Sequence, residues 1–126
     1  LSHAGGLAVA AGAEAAAPLA GVGVDFEPPR PTAGAVLARL FCSAGERAWA
    51  GSDPGAVMRL WTAKEALFKA NPANAGTTIA DYRLVDPSRD GAASGPTPAG
   101  TELSVVTIRR PAGHLAVATC RQRPAP

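Results

Sequence analysis

One long amphipathic segment, residues 54–70, constrains the fold more than any other part of the chain. Asp53 followed by Pro54 is a strong helix start, because a carboxylate caps the first turn and proline fits its first position. The dipeptide Asn71-Pro72 predicts the end of the helix, since the residue before a proline disfavours helical dihedrals. At 100° per residue, the large apolar side chains share one face: Val57, Leu60, Trp61, Leu67 and Phe68.

Strand-like segments surround this helix. Val22–Glu27 alternates apolar and polar residues, which predicts a half-buried strand. Two short helices are expected before the long one, the first capped by Thr32 and the second by Ser43, which forms a capping-box pattern with Glu46. Other segments are predicted from composition and turn residues: strands at 7–13, 82–85, 103–109 and 115–120, turns at 14–20 and 111–113, and a flexible connection at 86–100. This order predicts an α+β fold with a mainly antiparallel sheet packed against helices on one face.

Composition limits the class of protein. A chain of 126 residues with 47% hydrophobic residues suits a single domain, and a net charge of +2 without a basic block argues against nucleic-acid binding. The apolar stretch 6–24 is not expected to cross a membrane, because Ala and Gly insert weakly and Glu14 and Pro18 interrupt it. Two widely spaced cysteines predict a reducing, cytoplasmic location. Because the chain opens at Leu1 and not at Met, we expect a further segment upstream.

The strand at 22–27 carries two carboxylates on one face. Side chains alternate along a strand, so the apolar residues are expected to face the core: Val22, Val24 and Phe26. Asp25 and Glu27 then share the opposite face, roughly 7 Å apart, with Gly23 leaving room for a ligand. Carboxylate oxygens suit Mg²⁺. A strand with a merely solvated acidic face remains the alternative.

The long helix carries three charged residues of interest. Lys64 falls in the middle of the apolar face, where a buried ammonium needs an anionic partner or must extend to solvent. Glu65 and Lys69 lie four residues apart on the adjoining flank, and the alternative for them is an ordinary surface pair. At the start of the chain, Ser2 and His3 are adjacent, although a lone histidine is most often structural or simply exposed.

Two motifs together resemble the 4'-phosphopantetheinyl transferase superfamily: residues 23–27 (Gly-Val-Asp-Phe-Glu) and residues 61–69 (Trp-Thr-Ala-Lys-Glu-Ala-Leu-Phe-Lys). The second motif is the more specific. Ser2-His3 followed by a glycine-bearing strand looks like a motif of the larger, surfactin-type branch, in which two similar α+β halves enclose the active site. The resemblance implies that residues 1–126 form one domain, the C-terminal part of a two-half enzyme. The alternative is a short chain that assembles its site across subunits as a homo-oligomer.

The resemblance also implies roles for individual residues. It implies a magnesium ion held by three carboxylates: Asp25, Glu27 and Glu65. It implies coenzyme A contacts from two motifs, with Ser2 and His3 at the 3'-phosphate and Lys64 and Lys69 near the other phosphates. Glu65 would also act as general base, and Lys69 would stabilise the departing phosphate.

The implied activity is transfer of the 4'-phosphopantetheine group from coenzyme A to a serine of an acyl or peptidyl carrier protein. Fatty acid, polyketide and peptide synthesis all use such enzymes. Two other functions stay open at this point. One is a non-catalytic module, derived from such an enzyme, that binds carrier protein or coenzyme A. The other is an unrelated α+β interaction module in which the motifs arise by chance.

Overall fold

The computed structural model describes residues 2–4, 7–9, 11–12 and 18–124. Its elements follow in this order: β1 (Ser2–Ala4), β2 (Leu7–Val9), β3 (Leu19–Glu27), α1 (Ala35–Phe41), α2 (Ala44–Ala50), α3 (Pro54–Ala70), a 3-10 turn (Ile79–Asp81), β4 (Arg83–Leu84), β5 (Gly91–Ser94), β6 (Thr101–Arg110) and β7 (Gly113–Gln122). The predicted α+β class is therefore confirmed.

Five strands form one antiparallel sheet in the order β3-β7-β6-β5-β4. β3 is an edge strand of this sheet and pairs with β7 from Glu27 opposite His114 to Leu19 opposite Arg121. β1 and β2 form a separate antiparallel pair that contacts β3. The acidic strand therefore lies at the edge of the main sheet, next to the hairpin that carries Ser2.

α3 forms where its local signals predict. Asp53 caps the first turn by accepting a hydrogen bond from the Gly55 N–H at 3.2 Å, and Pro54 occupies the first helical position. The Asn71 N–H bonds to the Leu67 carbonyl and closes the last turn. The helix lies across β3, β6 and β7. Its apolar side chains pack there on inward residues of the sheet, among them Leu103, Val105, Ala116, Ala118 and Cys120.

β3 approaches α3 very closely through glycine. A Cβ atom added to Gly23 would lie 2.1 Å from the Ala66 carbonyl oxygen, and one added to Gly21 would meet the Ala70 carbonyl. Because alternate residues share a face, Asp25 is on the helix side of β3 together with Gly23. The glycines therefore allow the carboxylate strand to lie directly against α3.

This placement corrects the predicted orientation of β3. Val24 and Phe26 are buried, as expected. However, they lie on the sheet face away from α3 and outside the core that packs beneath that helix. Alternation predicts which residues share a face, but it does not say which face meets the helix.

Other predictions were wrong in detail. The predicted flexible connection at 86–100 contains β5, which pairs with β6 although Gly91–Ser94 has little intrinsic strand preference. β3 begins at Leu19, inside the segment predicted as a turn, and residues 13–17 of that region lie outside the described residues. Of the strand predicted at 7–13, Leu7–Val9 is a strand and residues 11–12 are not, while residues 10 and 13 lie outside the described residues. Gly34, and not Thr32, precedes α1.

Candidate active site

Asp25 is the most constrained acidic residue of the site. It is buried, and its Oδ1 accepts hydrogen bonds from Ser2 Oγ at 2.9 Å and from Lys69 Nζ at 3.0 Å. Its other oxygen, Oδ2, is also buried, yet it has no hydrogen-bond partner among the described residues. Leaving a buried polar atom unpaired costs about 1–3 kcal/mol. The fold therefore holds a carboxylate oxygen in a position suited to a ligand.

Ser2 connects the β1–β2 hairpin to the site. Its hydroxyl donates to Asp25 and accepts a hydrogen bond from the Phe26 N–H at 3.2 Å. The backbone of His3 pairs with Ala8 in the hairpin. The side chain of His3 lies outside what the structure describes, so its contact with a 3'-phosphate stays a prediction.

Glu27 lies further along β3, half-buried beside α3. Its Oε1 accepts a hydrogen bond from Trp61 Nε1 at 3.2 Å, and its Oε2 is 3.4 Å from the Arg30 guanidinium. Burial and the negative charge of Asp25 raise the pKa of Glu27, while the Trp61 bond and the charges of Arg30 and Lys69 act in the opposite direction. Trp61 thus fixes the carboxylate that ends the strand.

Glu65 lies on α3, one turn before Lys69. Burial raises its pKa, and the negative charge of Asp25 raises it further. Lys69 lowers it and Glu27 raises it by a smaller amount. Because such effects weaken with distance, Glu65 lies within electrostatic reach of both strand carboxylates. That the three carboxylates hold a common cation stays a prediction.

The three carboxylates do not form a closed metal site in the described structure. Across residues 18–124 and the short described pieces before them, no group of three acidic, histidine or cysteine side chains is close enough to hold a metal ion. Lys69 lies against Asp25 and supplies its positive counter-charge. The arrangement is a loose cluster of like charges with one ammonium group among them.

Lys64 has a different environment from the one expected. It is fully buried, its Nζ lies 2.8 Å from Glu46 Oε1, and it donates to the Tyr82 carbonyl. Glu46 also accepts from the N–H groups of Ser43 and Leu84. The expectation that Lys64 lies near the phosphates of coenzyme A is wrong, because Lys64 is fully buried and Glu46 supplies its counter-charge inside the protein. Lys64 therefore links α2 to α3 and does not face the site.

A sequence model of the 4'-phosphopantetheinyl transferase superfamily matches residues 21–119, which include all three helices and most of the main sheet. The chain belongs to this superfamily. No curated protein and no solved structure was found to match it. The surfactin-type branch is not decided by this match and stays a prediction.

Phosphopantetheine transfer is the general activity of the superfamily, whose members use coenzyme A and generally Mg²⁺. The donor set of this transferase fits such an ion. Carboxylate oxygens are the ligands that Mg²⁺ prefers, and Asp25 Oδ2 is buried and unpaired among the described residues. Burial raises the pKa values of Glu27 and Glu65 most, and repulsion by Asp25 raises them further; a divalent cation would relieve that repulsion.

Two residues of this transferase matter more than the sequence suggested. Trp61 precedes Glu65 by four residues, so both side chains lie on one side of α3. This spacing could have indicated that Trp61 contacts Glu27. Glu46 was identified only as a helix cap. Its pairing with Lys64 joins two helices, and no local pattern encodes it. None of the described helices is long and apolar enough to cross a membrane.

Proposed function

We propose that this transferase moves the 4'-phosphopantetheine group of coenzyme A onto a serine of an acyl or peptidyl carrier protein, with Mg²⁺ held by Asp25, Glu27 and Glu65. The observation that carries the proposal is the unpaired, buried Oδ2 of Asp25 in the described structure. Two further carboxylates and Lys69 lie within electrostatic reach of it. A cluster with perturbed pKa values beside a polar atom that lacks a partner is typical of a functional site.

In the proposed reaction, the carrier serine Oγ forms a bond to the β-phosphorus of coenzyme A. The bond from that phosphorus to the bridging oxygen breaks, and adenosine 3',5'-bisphosphate leaves with the bridging oxygen. The serine proton passes to a base. When bound, the magnesium ion would neutralise charge on the pyrophosphate.

Other residues of the chain would accept the proton, stabilise the leaving group and position the ligands. Glu65, whose pKa is raised by burial and by Asp25, would take the serine proton directly or through a water molecule. A carboxylate that binds a metal is a weaker base, so the ligand role of Glu65 takes precedence. Lys69, one-third exposed, would stabilise the departing phosphate. Ser2 would position Asp25 in addition to its proposed contact with the 3'-phosphate, which it would share with His3.

A second α+β half is proposed to complete the coenzyme A site, either from a preceding segment of a longer chain or from another copy of this one. The position of the half-buried Glu27 at the end of an edge strand supports this proposal, because a neighbouring half can reach it there. Light scattering with coenzyme A and Mg²⁺ tests the homo-oligomer. We further propose that the enzyme works in the cytoplasm, where carrier proteins receive their prosthetic group.

The proposed function is tested by mass spectrometry of an apo carrier protein incubated with coenzyme A, Mg²⁺ and enzyme. Removing a general base or a metal ligand is expected to slow transfer by about 10²–10⁴-fold, so Asp25→Ala and Glu65→Ala should leave the carrier protein unmodified on the time scale of the parent reaction. Glu102→Ala is the matched control, because Glu102 is a half-exposed carboxylate paired with Arg121 on the sheet. Parent-like transfer by both site variants would rule out the mechanism.

A further inference from the structure

Trp61 holds one of the proposed metal ligands through a hydrogen bond between two distant parts of the chain. Its Nε1 donates to Glu27 Oε1 at 3.2 Å, and this bond joins α3 to the last residue of β3. Glu27 needs such a partner, because a glutamate side chain has considerable rotamer freedom to lose when it is fixed. The Glu27 side chain is only 16% exposed, so its carboxylate lies against the helix that holds it.

The ring of Trp61 is itself held in place. It is half-buried and packs against the core. Phe41, the buried last residue of α1, meets it edge-on, with ring centroids 5.1 Å apart and an interplanar angle of 88°. Edge-to-face aromatic pairs of this kind are favourable, and packing restricts the rotamers of a supporting side chain. The indole N–H is therefore directed at Glu27 by the fold.

Glu27 has a second neighbour of a different kind. Its Oε2 lies 3.4 Å from Arg30, whose side chain is 51% exposed. A guanidinium group is always charged, so Arg30 offsets the negative charge of the carboxylate and competes with a metal ion. The indole N–H of Trp61 is a neutral donor, which orients the carboxylate and leaves its charge available. Of the two neighbours, Trp61 is the one that can hold Glu27 and still favour cation binding.

We infer that Trp61 is a positioning residue, which holds Oε1 of Glu27 so that this carboxylate can bind the metal ion, and that Phe41 supports Trp61 in this position. The inference rests on the proposed function, because it takes Glu27 as a ligand of Mg²⁺. Partners of this kind orient the side chains that bind a metal, and their loss typically weakens metal affinity by about 10–100-fold. Because Trp61 and Glu65 lie one turn apart on α3, one helix supplies both a ligand and the group that holds another ligand.

Metal affinity tests the inference without the transfer reaction. The dissociation constant for Mn²⁺, used in place of Mg²⁺, is measured from the electron paramagnetic resonance signal of the free ion. Trp61→Phe removes the N–H donor and keeps an aromatic ring next to Phe41, and we expect it to weaken binding by about 10–100-fold. Trp49→Phe is the matched control, because Trp49 is the other tryptophan of the chain and its ring lies against Arg59. It should keep parent affinity.

Arg30→Ala distinguishes the two neighbours of Glu27. Because Arg30 competes with the cation, this variant should bind Mn²⁺ at least as tightly as the parent protein, with a gain of up to about fivefold. A loss of affinity as large as that of Trp61→Phe would overturn the inference, since Arg30 would then hold the carboxylate as well.

A pair of double and single variants shows whether Trp61 acts through Glu27. In a Glu27→Ala background, Trp61→Phe should cause no further loss of Mn²⁺ affinity, because the carboxylate that it holds is already gone. The same loss in both backgrounds would show a general effect on the fold and would contradict a positioning role.

The indole N–H signals in NMR spectra give a readout in the unmodified protein, so they do not depend on the stability of any variant. Mg²⁺ should shift the Nε1–H signal of Trp61 and leave that of Trp49 in place. If the parent protein binds no Mn²⁺, the metal site of the proposed function is wrong, and the inference falls with it. If the parent binds Mn²⁺ but Trp61→Phe binds it equally well, or the Trp61 signal does not move, the positioning role alone is wrong.

Discussion

Lys64 and Glu65 are neighbours on α3, yet their side chains enter very different environments. Lys64 is fully buried and paired with Glu46, whose carboxylate also accepts two backbone hydrogen bonds. Glu65 is half-buried beside Asp25 and Glu27, two groups of its own charge. A satisfied ionic network fixes a fold, whereas an unsatisfied cluster of like charges is poised to bind a cation. Two neighbouring charges within a single turn of helix thus differ: the protein neutralises one internally, and the other faces charges of its own sign.

The largest expected effect on stability is at Lys64, the buried and paired residue of this comparison. Lys64→Met removes the partner of a buried carboxylate, and breaking such a pair costs about 3–5 kcal/mol. Urea unfolding should show this loss in the free energy of unfolding. An unchanged free energy of unfolding would mean that Glu46 does not depend on Lys64, and the contrast with Glu65 would disappear.

A double variant sharpens the interpretation of that loss. In Lys64→Met combined with Glu46→Gln, the buried negative charge is gone, and the glutamine can still accept the hydrogen bond from the Ser43 N–H at the helix cap. We expect the double variant to recover most of the stability lost in the single one. Equal loss in both would show that packing, and not the charge pair, was disrupted.

A smaller, pH-dependent effect on stability is expected at Glu65. Because the pKa of Glu65 is raised in the folded protein, its carboxyl group binds a proton more tightly there than in the unfolded chain. Its favourable contribution is therefore present at low pH and is lost as pH rises through the raised pKa, above the ordinary value of 4.5. Without metal, the stability of the parent protein relative to Glu65→Gln should fall between acidic and neutral pH.

Urea unfolding of both proteins at several pH values measures this difference. Added Mg²⁺ should reduce it at neutral pH, since a bound cation offsets the repulsion among the carboxylates. A constant difference between parent and variant at all pH values would show that Glu65 does not interact with its acidic neighbours.

The smallest effect is expected at an ordinary surface pair. Arg121 and Glu102 lie 3.1 Å apart on adjacent strands, with side chains 50% and 44% exposed. Exposed pairs contribute about 0.2–1 kcal/mol, so Arg121→Ala should change the free energy of unfolding by no more than that. A loss comparable to that of Lys64→Met would undermine the use of burial to distinguish the two kinds of pair.

The parts of the fold that could be predicted from sequence are those encoded locally. Asp53, Pro54 and Asn71 mark the ends of α3, and the capping box of Ser43 and Glu46 marks the start of α2. β5 could not be predicted, because Gly91–Ser94 becomes a strand only through pairing with β6. Local signals suffice where the nearest neighbours in sequence decide the conformation.

In the candidate site too, features encoded by local motifs could be predicted, and features that depend on distant residues could not. The motifs predicted that Asp25, Glu27 and Glu65 belong together, and the charges of Asp25 and Glu27 do act on the pKa of Glu65, after the larger effect of burial. The partner of Lys64 could not be predicted, because Glu46 lies on another helix. The orientation of β3 was missed although Gly23 held a signal, since a glycine on the helix side of a strand permits close backbone contact.

The most direct test of the central claim is carboxyl-carbon NMR of the protein titrated with Mn²⁺ as a paramagnetic substitute for Mg²⁺. If Asp25, Glu27 and Glu65 bind one cation, their side-chain signals should broaden together at low Mn²⁺ concentration, while those of Glu46 and Asp53 broaden far less. Sharp signals for Glu65 under conditions that broaden Asp25, or equal broadening of Glu46, would contradict a shared metal site.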